Sequence, residues 1–123
     1  MMTFSVDPAP TFKNPIKIAT DFASAPGGRL IKTGPFSGEQ FRDEWLAPNL
    51  RYAIEHGTVL TVVLDDAVTY PVSFLEEAFG GLIRVSGFAK GDVKKHLKIE
   101  VFDRFYEPFK QLAERYLDDA KPQ

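Results

Sequence analysis

The stretch Val59 to Ile83, VLTVVLDDAVTYPVSFLEEAFGGLI, constrains the fold more than any other part of the chain. Val59 to Leu64 is an almost unbroken apolar run, β-branched at four of its six positions, which suits a strand covered on both faces. Asp65 and Asp66 end it. After a short loop, Ser73 and Glu76 have the S-x-x-E form of a capping box, with Ser73 as helix cap. Phe74, Leu75, Ala78, Phe79, Leu82 and Ile83 then recur at helical spacing. Strand, acidic loop and helix make one unit, and any function is expected around its middle.

With 123 residues and 44% apolar content, the chain can bury one core, so a single domain is expected over residues 16–119. Pro8, Pro10 and Pro15 mark residues 1–15 as a loosely held arm, and the chain is expected to fray toward its end, with 120–123 as a tail. No apolar run approaches the ~20 residues of a membrane helix. The opening MMTFSVDPAPTF has neither an early positive region nor an apolar signal core, so a cytoplasmic location with no membrane association is expected. The absence of cysteine removes disulfides, thiol nucleophiles and thiolate metal sites, leaving His56 and His96 as nitrogen ligands. Neither has a visible partner, and no metal or cofactor is expected. Fifteen basic against seventeen acidic residues give a net charge of −2, with no general pull toward nucleic acid. The basic run Lys90 to Lys98, KGDVKKHLK, lacks interleaved aromatics and reads as a solvated turn and strand edge.

Along the chain, Ile16–Ala19 and Arg29–Thr33 read as two short strands pairing antiparallel around a Ser24-Ala25-Pro26-Gly27-Gly28 turn. Ser37 to Gln40 is an S-x-x-Q capping box with Phe36 as a hydrophobic staple, opening a helix from Gly38 to His56. Phe41, Trp45, Leu46, Leu50, Ala53 and Ile54 form its buried stripe, with Glu39, Arg42, Asp43, Arg51 and Glu55 on the wet side. Pro48 costs ~3 kcal/mol inside a helix and predicts a kink near Glu44 to Pro48 or two abutting helical pieces. Gly80 and Gly81 each cost ~1 kcal/mol relative to alanine, which calls either for close packing of the second helix backbone on the sheet or for an end of the regular helix there, with Leu82 and Ile83 packing from a looser turn. A last strand is expected at Leu97 to Phe102, then a helix from Asp103 with Phe105, Phe109, Leu112, Ala113, Tyr116 and Leu117 as its stripe. The class is α/β, a small mixed β-sheet with helices packed against it, in β-β-α-β-α-β-α order.

No residue assembles a catalytic constellation. Adjacent carboxylates on a strand point to opposite faces, though in a turn Asp65 and Asp66 can converge on a Mg²⁺ ion. The alternative is that Asp65 accepts amide hydrogen bonds. Ser73 reads first as a helix cap, then as a phosphate acceptor, and last as a nucleophile, because no G-x-S-x-G elbow surrounds it. A phosphoryl group there, with its charge of about −2, would be repelled by Glu76 and Glu77 and would act as an off-switch for a docked partner.

GPFSGEQFRDEWLAPNL at Gly34 to Leu50, the strand ending in Asp65, and SFLEEAFGGLIR at Ser73 to Arg84 together resemble the STAS-like domain of unknown function. That family is related to the sulfate-transporter and anti-sigma-factor-antagonist domains, and the similarity covers most of residues 16–102. It implies a bacterial regulatory module that binds a protein partner, such as a kinase-like ATPase or anti-sigma factor. In such antagonists the phosphorylated Ser or Thr lies in the loop entering the helix after this strand, here Tyr70-Pro71-Val72-Ser73-Phe74. The antagonist pattern D-S-S-G-L, aligned on Leu75, places Pro71 at the aspartate, Val72 at the usual acceptor, Ser73 at the second serine and Phe74 at the glycine. Thr69 and Ser73 are therefore the nearest acceptors. The expected function is non-enzymatic docking through Asp65, Asp66, Thr69, Tyr70, Ser73 and Glu76, with Tyr70 as an anchor. The competing expectation is a small nucleotide- or metal-binding enzyme domain using Asp65, Asp66 and Glu76. A homodimer through a sheet edge or helix face is compatible with either.

Overall fold

In the apolar run after Val59, every second side chain faces the same way, and that alternation fixes which side of the sheet is dry. The computed structural model describes residues 12–123. Its sheet contains β1 (Ile16–Lys17), β2 (Leu60–Val63) and β3 (Leu97–Glu100), all parallel and in the order β1-β2-β3. Ile16, Val62 and Ile99 are paired in register and buried. Leu60 and Leu64 share their face, and the Leu64 N–H extends the ladder to the Glu100 carbonyl at 3.1 Å. The opposite face carries Lys17, Thr61, Val63, Lys98 and Glu100. It is mostly polar, so β2 is fully covered on one side only, contrary to the expectation from its composition.

Helices supply the cover. Residues 38–55 form α1, residues 72–84 form α2, Lys90–His96 form α3 and Glu107–Asp119 form α4. Helical crossovers between parallel neighbours running in one direction across the sheet keep their helices on one face. α2 is the central helix, packed between α1 and α4. Its Phe74, Leu75, Ala78, Phe79, Leu82 and Ile83 are all buried, as their spacing predicts.

Several elements differ from the sequence expectation. The expected second strand, Arg29–Thr33, is absent. Ile31–Thr33 is a single 3-10 turn, and both the N–H and the hydroxyl of Thr33 donate to the Leu30 carbonyl. The Gly28 and Arg29 carbonyls accept instead from Gly38 and Glu39, at 2.8 and 3.0 Å. This backbone is committed to capping α1 and to its own turn rather than to a ladder, and the sheet is parallel rather than mixed.

α1 begins where its capping box predicts: Ser37 Oγ accepts the Gln40 N–H at 3.0 Å. Its reciprocal bond is displaced by one residue, Gln40 Oε1 accepting from Phe36 N–H. The disturbance expected near Pro48 takes the form of a widened turn over Arg42–Leu46, in which Ala47 N–H bonds the carbonyl five residues back, at Arg42. Widened turns commonly absorb a break in the helical ladder. α2 has a matching widened turn at Glu76–Gly80.

Ser73 is not a cap. Pro71, in an extended conformation, holds that position, and its carbonyl accepts from Phe74 and Leu75. Ser73 falls inside the first turn of α2 and is half-buried. The S-x-x-E pattern was displaced because proline's fixed φ sets the entry angle two residues earlier.

The basic run from Lys90 is helix α3 rather than a turn, with Val93 buried beneath it. β3 stops at Glu100, short of Phe102. At the chain's end α4 runs to Asp119, and Ala120 packs into the core beyond it. Within the expected N-terminal arm, residues 1–11 lie outside the described residues, but residues 12–15 are tied down. The Asn14 amide donates to Val59 O and accepts from Thr61 N–H, both at 2.9 Å, while the Phe12 ring stacks on Tyr52 at 4.4 Å.

Candidate functional site

Open α/β sheets bind ligands beyond the carboxyl ends of their strands, because loops there face outward from a rigid frame. Here that end is built by the loop after β2, residues 64–71, and the loop after β3, residues 101–106. Both are held from within. The Asp65 carboxylate accepts the N–H of Phe102 at 3.0 Å and of Asp103 at 2.7 Å, joining the two loops. Tyr106 Oη donates to Ala67 O at 2.7 Å, and Val68 N–H donates to Ser24 O at 2.8 Å. Tyr70 is only 3% exposed, and its hydroxyl donates to Leu64 O at 2.6 Å. Burial, with the neighbouring Tyr106, Asp65 and Asp66 as smaller causes, pushes the Tyr70 phenol well above its usual range.

These contacts leave a specific set of side chains outside. Val68 is 70% exposed, Phe102 74% and Phe105 61%, with Val72 exposed at the start of α2. Phe105, placed in the buried stripe by its spacing, instead lies in the 3-10 turn Arg104–Tyr106 before α4 and is exposed, its ring edge-on to Tyr106 at 5.0 Å. Asp66, with φ +76°, and Thr69 are exposed on the first loop. Asp65, Asp66, Phe102 and Asp103 line an open depression of about 500 Å³. Val68 and Phe102 stand on the two loops that Asp65 joins, and exposed large apolar side chains on neighbouring loops mark interaction surfaces more often than isolated ones do.

The six residues picked from the sequence therefore divide. Asp65, Asp66 and Thr69 lie together on the first loop. Tyr70 lies beneath it, and its ring is not offered to a partner. Ser73 stands in the first turn of α2. Glu76 belongs to a different structure altogether, and it does not converge with Asp65 and Asp66. Its two carboxylate oxygens are taken by Arg29 and Arg84, the latter at 2.8 and 3.1 Å.

That second structure is an ionic cluster that sequence reasoning missed. Arg42, expected on the wet side of α1, is 2% exposed, and its Nη1 donates to Glu77 Oε2 at 2.5 Å and to the Glu77 carbonyl at 3.1 Å. Its Nε reaches Asp43 at 3.0 Å. Glu77 also pairs with Arg29 at 3.1 Å and Arg84 at 3.5 Å. The cluster sits where the widened turns of α1 and α2 meet, so the glycines of α2 pack against arginine and against the Tyr116 carbonyl of α4, not against the sheet. Burial works to raise the Glu76 carboxyl, but the guanidiniums of Arg84 and Arg29 together outweigh it and hold the group below its ordinary value. Every carboxylate here has a guanidinium partner, which is the arrangement of a structural tie. The only sequence signal for it was the unexplained Gly80-Gly81 pair.

Among the described residues, no group of three or more His, Asp or Glu side chains is arranged to hold a metal ion, and no helix is long and apolar enough to cross a membrane. The two histidines are spent on backbone: His96 Nδ1 lies 2.7 Å from Thr58 O and His56 Nδ1 2.9 Å from Tyr52 O. Comparison with protein-family models, with curated proteins and with solved structures finds no match to this chain.

Proposed function

We propose that this chain is a non-enzymatic docking module whose partner-binding surface is formed by the two loops at the carboxyl end of the sheet. The observation that carries the reading is the pairing of rigid backbone with outward apolar side chains: Val68, Phe102 and Phe105 are each more than three-fifths exposed on loops pinned by Asp65, Tyr70 and Tyr106. Pre-ordered loops lose little conformational freedom on binding, so contact area is converted to affinity with less loss. Exposed aromatics are the side chains that most often dominate interface energetics.

Within this reading the module is STAS-like and takes part in a bacterial partner-switching pathway, with a kinase-like ATPase or anti-sigma factor as partner. The resemblance at Gly34–Leu50 and Ser73–Arg84 supports that assignment. Thr69 is the exposed hydroxyl on the loop, whereas Ser73 is half-buried in α2. A phosphoryl group on Thr69 would add about two negative charges close to Asp66 and change what the surface accepts.

A photo-crosslinking amino acid placed at Val68 or Phe102 in the native host tests the reading, with Thr58, exposed before the opposite end of β2, as control. The expected result is a discrete protein adduct from the first two positions and none from the third. The identified protein, once purified, should rebind the wild-type chain. No adduct, or equal adducts from Thr58, would contradict the proposal.

A further inference from the structure

The docking surface has a charge as well as a shape. Residues 65–70 and 101–107 carry four carboxylates, Asp65, Asp66, Asp103 and Glu107, against one cation, Arg104. Asp65 is turned inward by its amide donors, but Asp66 and Asp103 are exposed beside Phe102 in the same open depression. Other exposed apolar residues lie in different surroundings: Ile31 is next to Lys32, and Val85 follows Arg84. Phe102 also borders Lys17 and Glu100 on the open face of the sheet, so the acidic side of this rim is the one that carries Asp66 and Asp103.

We propose that the partner segment presents an apolar side chain to Val68, Phe102 and Phe105, flanked by lysine or arginine side chains that face Asp66 and Asp103. This rests on the docking reading above. A carboxylate-rimmed apolar patch repels acidic partners and attracts basic ones, so charge sets the choice of partner and the encounter rate while the aromatics supply the area. The two aspartates are exposed, so their contribution is screened by salt and weakens as ionic strength rises. An anionic segment or a nucleic-acid backbone would meet like charge.

Two synthetic peptides of one apolar sequence, one flanked by lysines and the other by glutamates, provide the test when titrated into the isotope-labelled chain and followed by amide shifts. The lysine peptide is expected to move amides of residues 65–69 and 101–106 and to bind roughly tenfold or more tighter than the glutamate peptide. That preference should collapse between about 0.05 and about 0.5 M salt, and also in the Asp66→Asn, Asp103→Asn double variant. Asparagine tolerates the left-handed backbone at position 66 and can still accept the Phe105 N–H at position 103, so the fold is retained. If both peptides move the rim amides equally, or the preference survives the double variant, the charge proposal is overturned and the docking surface stands. If neither peptide moves the rim, both fail.

Discussion

The Arg42 guanidinium occupies the space that a side chain on Gly81 would need. A Cβ at position 81 would also meet Arg42 Cδ at 3.1 Å, and Arg42 cannot swing away because Glu77 and Asp43 hold its nitrogens. Glycine in the middle of α2 is thus explained by an arginine thirty-nine positions earlier.

Gly81→Ala tests this against helix propensity. Propensity alone favours alanine by about 1 kcal/mol, whereas overpacking costs about 1–3 kcal/mol. The expected net result is destabilisation, read from urea unfolding midpoints. Gly91→Ala in α3, where an added Cβ meets open space, should instead stabilise by about 0.4–1 kcal/mol.

Removing one member of the buried pair leaves the other charged and dry. Arg42→Met is expected to cost about 3–5 kcal/mol, toward the lower end because Arg29 and Arg84 still reach Glu77. The double variant Arg42→Met, Glu77→Leu should recover a large part of that loss. A double-mutant cycle in urea measures the coupling, and additive costs would refute the pairing.

The same cluster predicts an acid limb. The folded-state value of Glu76 is depressed below its ordinary 4.5, so its contribution is present above that value and is lost as pH falls through the lower, folded one. Unfolding midpoints measured from neutral pH downward should therefore drop below about pH 4.5. Glu76→Gln should be less stable at neutral pH and lose less on acidification. Parallel pH curves for the two proteins would contradict the assignment.

How much of this was legible in the residues depends on the range of the interaction. The β2 run, the α1 start at Ser37 and the α2 stripe were readable because they follow from neighbours within a turn or a pleat. Arg42 was not, since a charge at a surface-like spacing is buried only through a partner thirty-five positions away. Ser73 was misread because two local signals overlapped and Pro71 took the cap. The expected strand at Arg29–Thr33 failed for a related reason, the Arg29 carbonyl being committed to α1 while the Leu30 and Ile31 carbonyls close a local turn. Asp65 and Asp66 stand just past the end of β2, where the end of the apolar run puts them. Phe102 and Phe105 were not recognised, because apolar side chains are assigned to cores by pattern and their exposure is a tertiary fact.

Tyr70 holds the loop after β2 from below. Tyr70→Phe removes the donor to Leu64 O and should cost about 1–3 kcal/mol for the buried acceptor left unsatisfied. Because burial raises its phenol far above the ordinary range, one of the four tyrosines should resist ionisation in an alkaline absorbance titration until the chain unfolds. That resistant group should vanish in Tyr70→Phe.

The most direct measurement is the affinity of the cross-linked and purified partner for the wild-type chain and for Phe102→Ala, Phe105→Ala, by calorimetry. Both side chains stand mostly in solvent, so the double variant should unfold within about 0.5 kcal/mol of wild type. Its affinity should nevertheless fall by roughly thirtyfold or more, as for removal of interface hot spots. Unchanged affinity in a folded double variant would mean that the partner docks elsewhere and that this rim is not the functional surface.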